Sequence, residues 1–267
     1  MNLKHILIPA FLCIFSAIVN GDLTKVDYCS DAYTCKGQRE KHVLACNNKG
    51  DFHGLCPVNA RIISMTKKFK QLFLDEHNKY RNEIAGGLKD LKPAAAMATL
   101  EWDDELAYFA EFNVKRCQII YEDEGCFKTA RYEALDQNTG LLFYKSIHDC
   151  STLYTDIENY IRIYWYEQYL DCTQAEVDLY HPPEKPIKEF GKMVMDRNNR
   201  LGCGASLFVN DFGVNVLFTC NYARRLLCNK PIYRSGKKGG SGCKSGKNPN
   251  YPNLCSTEEN VDPNNYK

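Results

Sequence analysis

Three stretches of the chain place apolar residues three and four positions apart, which predicts amphipathic helices. The first begins near Thr66 and stops at Gly86-Gly87, the second spans Trp102 to Cys117, and the third spans Asp156 to Leu170. The apolar positions on these faces are Phe69, Leu72, Phe73, Tyr80 and Ile84, then Leu106, Phe109, Ala110 and Val114, then Ile157, Ile161, Tyr164 and Trp165. We expect these faces, with their aromatic rings, to form core rather than a ligand site.

The apolar pattern shortens after the turn His181-Pro182-Pro183, as is typical of strands. Strands are predicted at Met193 to Met195, Ala205 to Val209 and Val214 to Cys220, and residues 210–213 are predicted as a hairpin loop. Because helices precede strands rather than alternating with them, the pattern predicts an α+β fold. Its simplest form is an antiparallel sheet covered by helices.

The two ends of the chain have a different composition from the middle. Residues 22–61 carry four cysteines among Gly, Asn, Asp and Lys without lasting periodicity, which indicates a cross-linked, loop-rich extension. Beyond Tyr222 the chain is rich in Lys, Gly, Ser, Asn and Pro, which indicates an irregular tail held by disulfide. We therefore divide the chain into a leader (1–21), an N-terminal extension (22–64), a folded domain (65–225) and a tail (226–267).

The first residues have the pattern of a secretory signal peptide. Lys4 precedes an apolar run from Ile6 to Val19, and Val19 and Gly21 are small enough to precede a cleavage site. The run is too short for a spanning helix, which needs roughly 20 residues. No comparable run follows, so we expect an extracellular, secreted protein without a membrane span.

The charge of the chain argues against a nucleic-acid partner and leaves a local binding patch for polyanions or anionic lipid open. The chain carries 34 Lys+Arg against 33 Asp+Glu, and loss of the leader removes Lys4, so the mature chain is formally neutral. A neutral chain offers no overall field for nucleic acid, and we expect no nucleic-acid partner. From Arg224 to Lys247, however, eight Lys or Arg residues stand without an acid. This stretch is either a solvated basic tail or a patch for polyanions or anionic lipid.

The cysteine count indicates an oxidising compartment. Of 14 cysteines, Cys13 lies in the leader, so an odd number remains and one thiol is left over. Such a thiol would react, pair between chains or lie buried and inert.

The usual catalytic and metal motifs are missing. The sequence has no HExxH helix, CxxC pair, GxSxG elbow, phosphate-binding glycine loop or Asn-x-Ser/Thr sequon. His77 is the most suggestive mature histidine, because Arg81 lies one helical turn away. We interpret His77 as a structural helix residue rather than a catalytic one, since no candidate nucleophile is spaced beside it.

Three motifs in order resemble the CAP superfamily of cysteine-rich secretory, antigen 5 and pathogenesis-related 1 proteins. They are residues 75–81 (DEHNKYR), 102–107 (WDDELA) and 217–222 (LFTCNY). Tyr28-Cys29 and the ending at residues 243–255 narrow the resemblance to insect antigen 5, the salivary and venom allergens, most like those of flies. The resemblance covers nearly all of the mature chain. It implies that residues 65–225 form a CAP domain, a three-layer α-β-α sandwich.

Many CAP proteins hold zinc with two histidines and two acids in a cleft, and this sequence departs from that set. The corresponding positions are Tyr121, Gln137, Gln168 and Glu189, which we name the family cleft. Zinc prefers imidazole and thiolate ligands. We therefore expect no metal, no cofactor and no catalytic residue here.

The resemblance also implies disulfides. The implied pairs are Cys29 with Cys46, Cys35 with Cys126, Cys56 with Cys117 and Cys203 with Cys220. Among the five cysteines left, Cys243 with Cys255 would close a short tail loop, and Cys150 with Cys172 would brace the third helix. Cys228 would then be the free thiol, beside Arg224 and Arg225.

Three functions are consistent with this sequence. The favoured one is a secreted, non-enzymatic salivary or venom protein that binds a host mediator, such as a lipid or other small hydrophobic ligand, or a host protein, and that host antibodies meet as an allergen. The second is a metal-dependent hydrolase of the CAP family, disfavoured by the missing histidines. The third is an anti-haemostatic surface binder that acts through the basic tail, without the Arg-Gly-Asp tripeptide that some horsefly relatives display.

Overall fold

A computed structural model of the chain describes residues 26–121, 126–145, 150–181 and 186–266. The signal-peptide prediction at residues 1–21 lies outside these ranges. Within them, no helix combines the length and the hydropathy needed to cross a membrane.

The helices and strands follow one another in the order that the α+β prediction expects, with most helices before the main strands. The helices are α1 Lys67–Gly86, α2 Asp104–Val114, α3 Cys150–Tyr160, α4 Gln174–Asp178 and α5 Lys188–Val194, and α3 continues through a π-helical segment Ile161–Tyr166 and a 3-10 segment Glu167–Leu170. The strands are β1 Thr34–Cys35, β2 Gln38–His42, β3 Arg61–Ile63, β4 Glu101–Trp102, β5 Asp136–Tyr144, β6 Arg200–Asn210 and β7 Gly213–Tyr222.

The central sheet has the order β3-β6-β7-β5 and is antiparallel, with the short β4 added parallel to β6. In the β6–β7 hairpin, Cys203 lies opposite Cys220. Strands β1 and β2 form a separate two-stranded ribbon in the N-terminal extension.

Helix α2 covers one face of the sheet at very short range. A Cβ atom on Gly202 would lie 2.2 Å from the Ala107 backbone nitrogen, and one on Gly204 would lie 2.8 Å from that of Glu111. Only glycine leaves room for the helix backbone at these two positions. Asn221 adds a hydrogen bond from its side-chain amide to the Leu106 carbonyl, so the helix is fixed in register on this face.

The opposite face carries the aromatic core. In β7 the Asn221 side chain faces α2. Because side chains alternate along a strand, Phe218, three positions earlier, points to the opposite face. Its ring lies 5.5 Å from that of Trp165, 5.2 Å from that of Tyr160 and 6.1 Å from that of Phe73. These rings belong to α1 and to the α3 stretch. The three-layer sandwich with an antiparallel sheet is thus confirmed.

Local details differ from the pattern-based prediction. The strand predicted at Met193 to Met195 is wrong, because Met193 and Val194 end helix α5 and Met195 is its C-cap. Three apolar residues in a row are equally compatible with a buried helix. Helix α2 is shorter than predicted: its N-cap is Asp103, whose carboxylate accepts from two backbone amides, and it ends at Val114.

The third helix also differs from its prediction. It begins at Cys150, before the predicted start at Asp156. Its course changes to a π-helical segment at Ile161. Tyr164 was predicted on the buried face, yet it is 58% exposed, because the wider π-helical turn rotates residues out of the α-helical register.

Five disulfides link the described cysteines. Three tie the extension to itself and to the domain, one joins β6 to β7, and one closes the tail loop: Cys29–Cys46, Cys35–Cys126, Cys56–Cys117, Cys203–Cys220 and Cys243–Cys255. Cys172 is a free, buried thiol and Cys228 a free, exposed one.

The expected pairing of Cys150 with Cys172 is therefore wrong. Cys150 begins α3, and Cys172 follows the far end of the same continuous helical stretch. At about 1.5 Å per residue, these ends lie roughly 30 Å apart. A disulfide requires Cα atoms within about 7 Å.

The tail after β7 packs firmly onto the domain. Ile232, Tyr233, Leu254 and Cys255 are all buried. The Cys255 amide donates to the Met97 carbonyl. The basic stretch is therefore part of the folded body.

Candidate functional site

The four positions of the family cleft come from separate elements. Three of them converge, whereas the Gln137 side chain lies with Asn221 on the sheet face that α2 covers, where its Nε2 donates to Asn221 Oδ1 over 3.0 Å. Gln137 lies at the start of β5, Gln168 in the 3-10 segment, Glu189 in the first turn of α5, and Tyr121 after α2. Gln168 Nε2 donates to Glu189 Oε2 over 2.9 Å, and Gln168 Oε1 accepts from the Phe190 amide over 3.1 Å. Two positions that hold acids or histidines in the zinc-binding pattern are thus hydrogen-bonded to each other.

A buried lysine that the sequence analysis did not single out occupies the cleft. Lys192 is 1% exposed. Its Nζ donates to the Gln137 carbonyl over 2.7 Å and lies 3.6 Å from Asp136 Oδ1, 4.0 Å from Glu189 Oε1 and 5.4 Å from the centre of the Tyr121 ring. The signal in the sequence was a lysine in the apolar run Phe190 to Val194, three residues after Glu189.

The charge of Lys192 is opposed by burial and supported by its neighbours. Burial lowers the pKa of the ammonium below its ordinary value, while Asp136 and Glu189 raise that pKa. Burial, together with Glu189, also raises the pKa of the Tyr121 phenol, so Tyr121 is neutral near physiological pH.

The residues present do not fit zinc. The donors at the family cleft are a phenol, two amides and one carboxylate, and zinc favours imidazole and thiolate in a tetrahedral set. Two buried amide oxygens of β5, Gln137 Oε1 and Asn138 Oδ1, lack a hydrogen-bond partner within the described ranges. Neither oxygen is an imidazole or thiolate ligand, and a metal cation in the cleft would be repelled by the Lys192 ammonium.

His77 lies beneath the cleft and is fully buried. Its Nδ1 lies 2.7 Å from the Phe73 carbonyl, which can only accept, so Nδ1 carries the proton. Nε2 then accepts from the Tyr222 hydroxyl at 2.9 Å. Asn138 donates to the same hydroxyl and to the Glu189 carbonyl, which connects α1 and β7 to α5.

This network holds the helices together rather than preparing a base. Burial lowers the pKa of His77 to about 4, with Arg81 lowering it further and the Phe73 carbonyl opposing. A fully buried imidazole with both nitrogens bonded is out of reach of a substrate.

One turn away from the cleft, an open groove lies between β5 and the α3 stretch. We name it the aromatic groove. Its cavity is about 240 Å³, and its lining is Leu142, Phe143, Tyr144, Asp156, Asn159, Tyr160, Ile163 and Tyr164. Phe143 is 52% and Ile163 43% exposed, and the Tyr164 ring lies 4.6 Å from that of Tyr160. Among these lining residues, Asp156 is the only acidic or basic one, and its carboxylate accepts a hydrogen bond from the Tyr144 hydroxyl.

Comparison with known proteins agrees with this architecture. Residues 74–222 match the CAP family, described as the cysteine-rich secretory protein family. Venom allergen-1 of Aedes albopictus is 32% identical over 98% of this chain and 96% of its own. Antigen 5 like allergen Cul n 1 of Culicoides nubeculosus is 36% identical over 61% of this chain and 72% of its own.

A solved structure shares the fold at lower identity. The crystal structure of NaASP2 with Zn²⁺ superposes with a TM-score of 0.55 and 21% identity, over 75% of this chain and all of that one. That structure was determined with Zn²⁺. The resemblance read from three sequence motifs is confirmed, and this chain belongs to the CAP family of cysteine-rich secretory proteins, among relatives that include venom and antigen 5-like allergens of biting flies and mosquitoes.

Proposed function

We propose that this protein is secreted with saliva or venom, acts without catalysis, and binds a small hydrophobic host mediator in the aromatic groove. The observation that carries the proposal is the contrast between two neighbouring sites. The family cleft is closed by its own hydrogen bonds and by Lys192, while the groove beside it stays open and presents exposed aromatic surface. Apolar concave sites with a few polar groups are typical of small-molecule binding.

Two features argue against the hydrolase alternative. His77 is buried, and the Lys192 ammonium donates to an acceptor within the protein, the Gln137 carbonyl. Neither side chain is free to take a proton from a substrate. The relatives support the wider part of the proposal, since several are named as allergens, and we extend that role to this chain as an allergen that host antibodies meet.

The aromatic groove can be tested with Nile red, an uncharged apolar dye. We expect saturable binding with a rise in dye fluorescence, and a loss of at least tenfold in affinity for Tyr164→Asp, because the carboxylate would be desolvated against the dye. The matched control is Phe212→Asp, which changes another exposed aromatic residue, 82% exposed in the β6–β7 turn.

The comparison of the two variants decides the test. Equal weakening by both would show non-specific adsorption, and unchanged binding in Tyr164→Asp would place the ligand elsewhere. Either result would contradict the proposed groove.

A further inference from the structure

A second, smaller cavity lies on the surface formed by the tail, and we name it the arginine pocket. Its volume is about 110 Å³. Its charged lining residues are Asp196, Arg197, Arg224, Arg225, Lys230 and Arg234. They come from the loop between α5 and β6 and from the segment after β7, so the fold gathers charges that are separate in sequence.

Two of the guanidinium groups are held in place by backbone carbonyls. Arg197 Nη1 donates to the Asn265 carbonyl over 2.9 Å. Arg224 Nη1 donates to the carbonyls of Asn265 and Pro263 over 2.8 Å and 2.7 Å, and its guanidinium lies 4.2 Å from the centre of the Tyr266 ring. These contacts orient the charges without neutralising them.

The remaining cations keep donors available. Arg225 Nε donates to the Leu135 carbonyl over 3.1 Å, and Arg234 Nε pairs with Asp196 over 3.2 Å. The terminal nitrogens of both side chains form no hydrogen bond to a residue that the structure describes. The exposed Lys230 ammonium likewise has no bonded partner among the described residues.

The arginine pocket therefore holds excess positive charge. Asp196 is the one carboxylate among its described lining residues and faces five cationic side chains, which leaves four charges unmatched. Burial lowers the pKa of Arg224 below its ordinary value and Arg197 lowers it further, while Tyr266, Asp196 and Asp262 oppose this shift. Binding of an anion in such a site is favourable, because it relieves the repulsion between the positive charges.

We propose that the arginine pocket binds a compact anion that carries two or more phosphate groups. Guanidinium groups match phosphate oxygens with paired hydrogen bonds, which a point charge does not. A single carboxylate would leave most of the charge unmatched, and the small volume excludes a bulky polymer from the interior. The arginine pocket is lined by none of the residues of the aromatic groove, so this inference goes beyond the proposed function and stands independently of it.

The test is a calorimetric titration of the mature protein at low ionic strength with pyrophosphate, with ADP and with acetate. We expect saturable one-to-one binding of pyrophosphate and ADP and none of acetate. Equal affinities for pyrophosphate and ADP would assign recognition to the phosphates alone, and tighter ADP binding would assign an added contact to the nucleoside. Both results support the pocket.

The variant Lys230→Gln/Arg234→Gln removes two pocket charges, and we expect affinity for pyrophosphate to fall at least tenfold. The matched control is Lys237→Gln/Lys238→Gln, which removes two exposed charges from the same tail outside the pocket and should change affinity less than twofold. Lys230→Gln alone serves if the double variant folds poorly, because Lys230 has no structural bond to lose within the described part of the chain.

Two outcomes would overturn the proposal. One is the absence of saturable pyrophosphate binding by the wild-type protein. The other is equal weakening by the pocket and control variants, which would show diffuse attraction to the tail rather than a site.

Discussion

At the scale of single residues, the cleft is shaped by a buried lysine as well as by the two missing histidines. Lys192 puts an ammonium group within 4.0 Å of two carboxylates at the cleft. An internal cation can balance acids that would otherwise favour a bound metal. Glu189 and Lys192 are three residues apart on α5 and share one face of the helix.

The buried lysine leads to a prediction about zinc. We expect calorimetric titration of zinc into the wild-type protein to show no submicromolar site at the cleft. The variant Tyr121→His/Glu189→His/Lys192→Gln supplies two imidazoles and removes the ammonium, so we expect it to gain at least a hundredfold in zinc affinity. Submicromolar zinc binding by the wild type that is lost in Glu189→Gln would contradict this reading of the cleft.

Buried polar residues of α1 act as structural connectors. Arg81 is fully buried and donates to the carbonyls of Ala98, Met193, Met195 and Asn198. It thereby joins α1 to the end of α5 and to the loop before β6. His77, one turn earlier, joins α1 to β7.

The depressed pKa of His77 makes a prediction about acid stability. The pKa is near 6.5 in the unfolded chain and about 4 in the fold, so the unfolded chain binds the extra proton between these values. The stabilisation by neutral His77 is therefore complete above pH 6.5 and is lost as pH falls towards 4, by roughly 3 kcal/mol.

Urea unfolding at several pH values, for the wild type and for His77→Gln, measures this effect. The difference between their free energies of unfolding should shrink as pH falls from 6.5 to 4, because only the wild type loses the contribution of neutral His77. The other titrating groups contribute equally to both proteins and cancel in the difference. A difference that stays constant over this range would show that His77 is not buried in neutral form.

At the scale of elements, periodicity predicted the long helices and failed where polar residues are buried. Strand β5 was not predicted, because its start, Asp136 to Gly140, has the composition of a turn. It is a central-sheet strand since its polar side chains pair across to β7, as in the contacts of Gln137 with Asn221 and Thr139 with Thr219. Such pairing depends on residues about eighty positions away, which local patterns do not contain.

The helical stretch from α3 onward makes a prediction about thiols. Cys172 is buried, and burial, with Glu176 adding to it, raises the pKa of its thiol to about 12. Cys228 is exposed. We expect iodoacetamide to label Cys228 in the native, non-reduced protein and Cys172 only after denaturation.

Peptide mapping by mass spectrometry without reduction checks this assignment. Cys228→Ser should abolish the native labelling of that peptide and leave the Cys172 result unchanged. A Cys150–Cys172 disulfide in the map would show that the helical stretch bends back on itself.

At the scale of the whole molecule, the order of three motifs was enough to predict the family, the layers and the antiparallel sheet. It could not reveal the arginine pocket, because that site joins Arg197, the segment after β7 and Tyr266 through tertiary contacts. The basic stretch in the sequence gave only part of the signal. Four of the five cationic lining residues were thus visible in the basic stretch, but their convergence with Arg197 was not.

The nested disulfides have a consequence for how the molecule responds to proteases. The bridge Cys35–Cys126 joins cysteines 91 positions apart, and Cys56–Cys117 lies inside it. A protease that nicks the chain once anywhere between Cys35 and Cys126 leaves two pieces that remain covalently joined. The first cleavages would therefore produce nicked, disulfide-linked molecules rather than separate fragments. Surfaces assembled from distant segments would persist after these first cleavages.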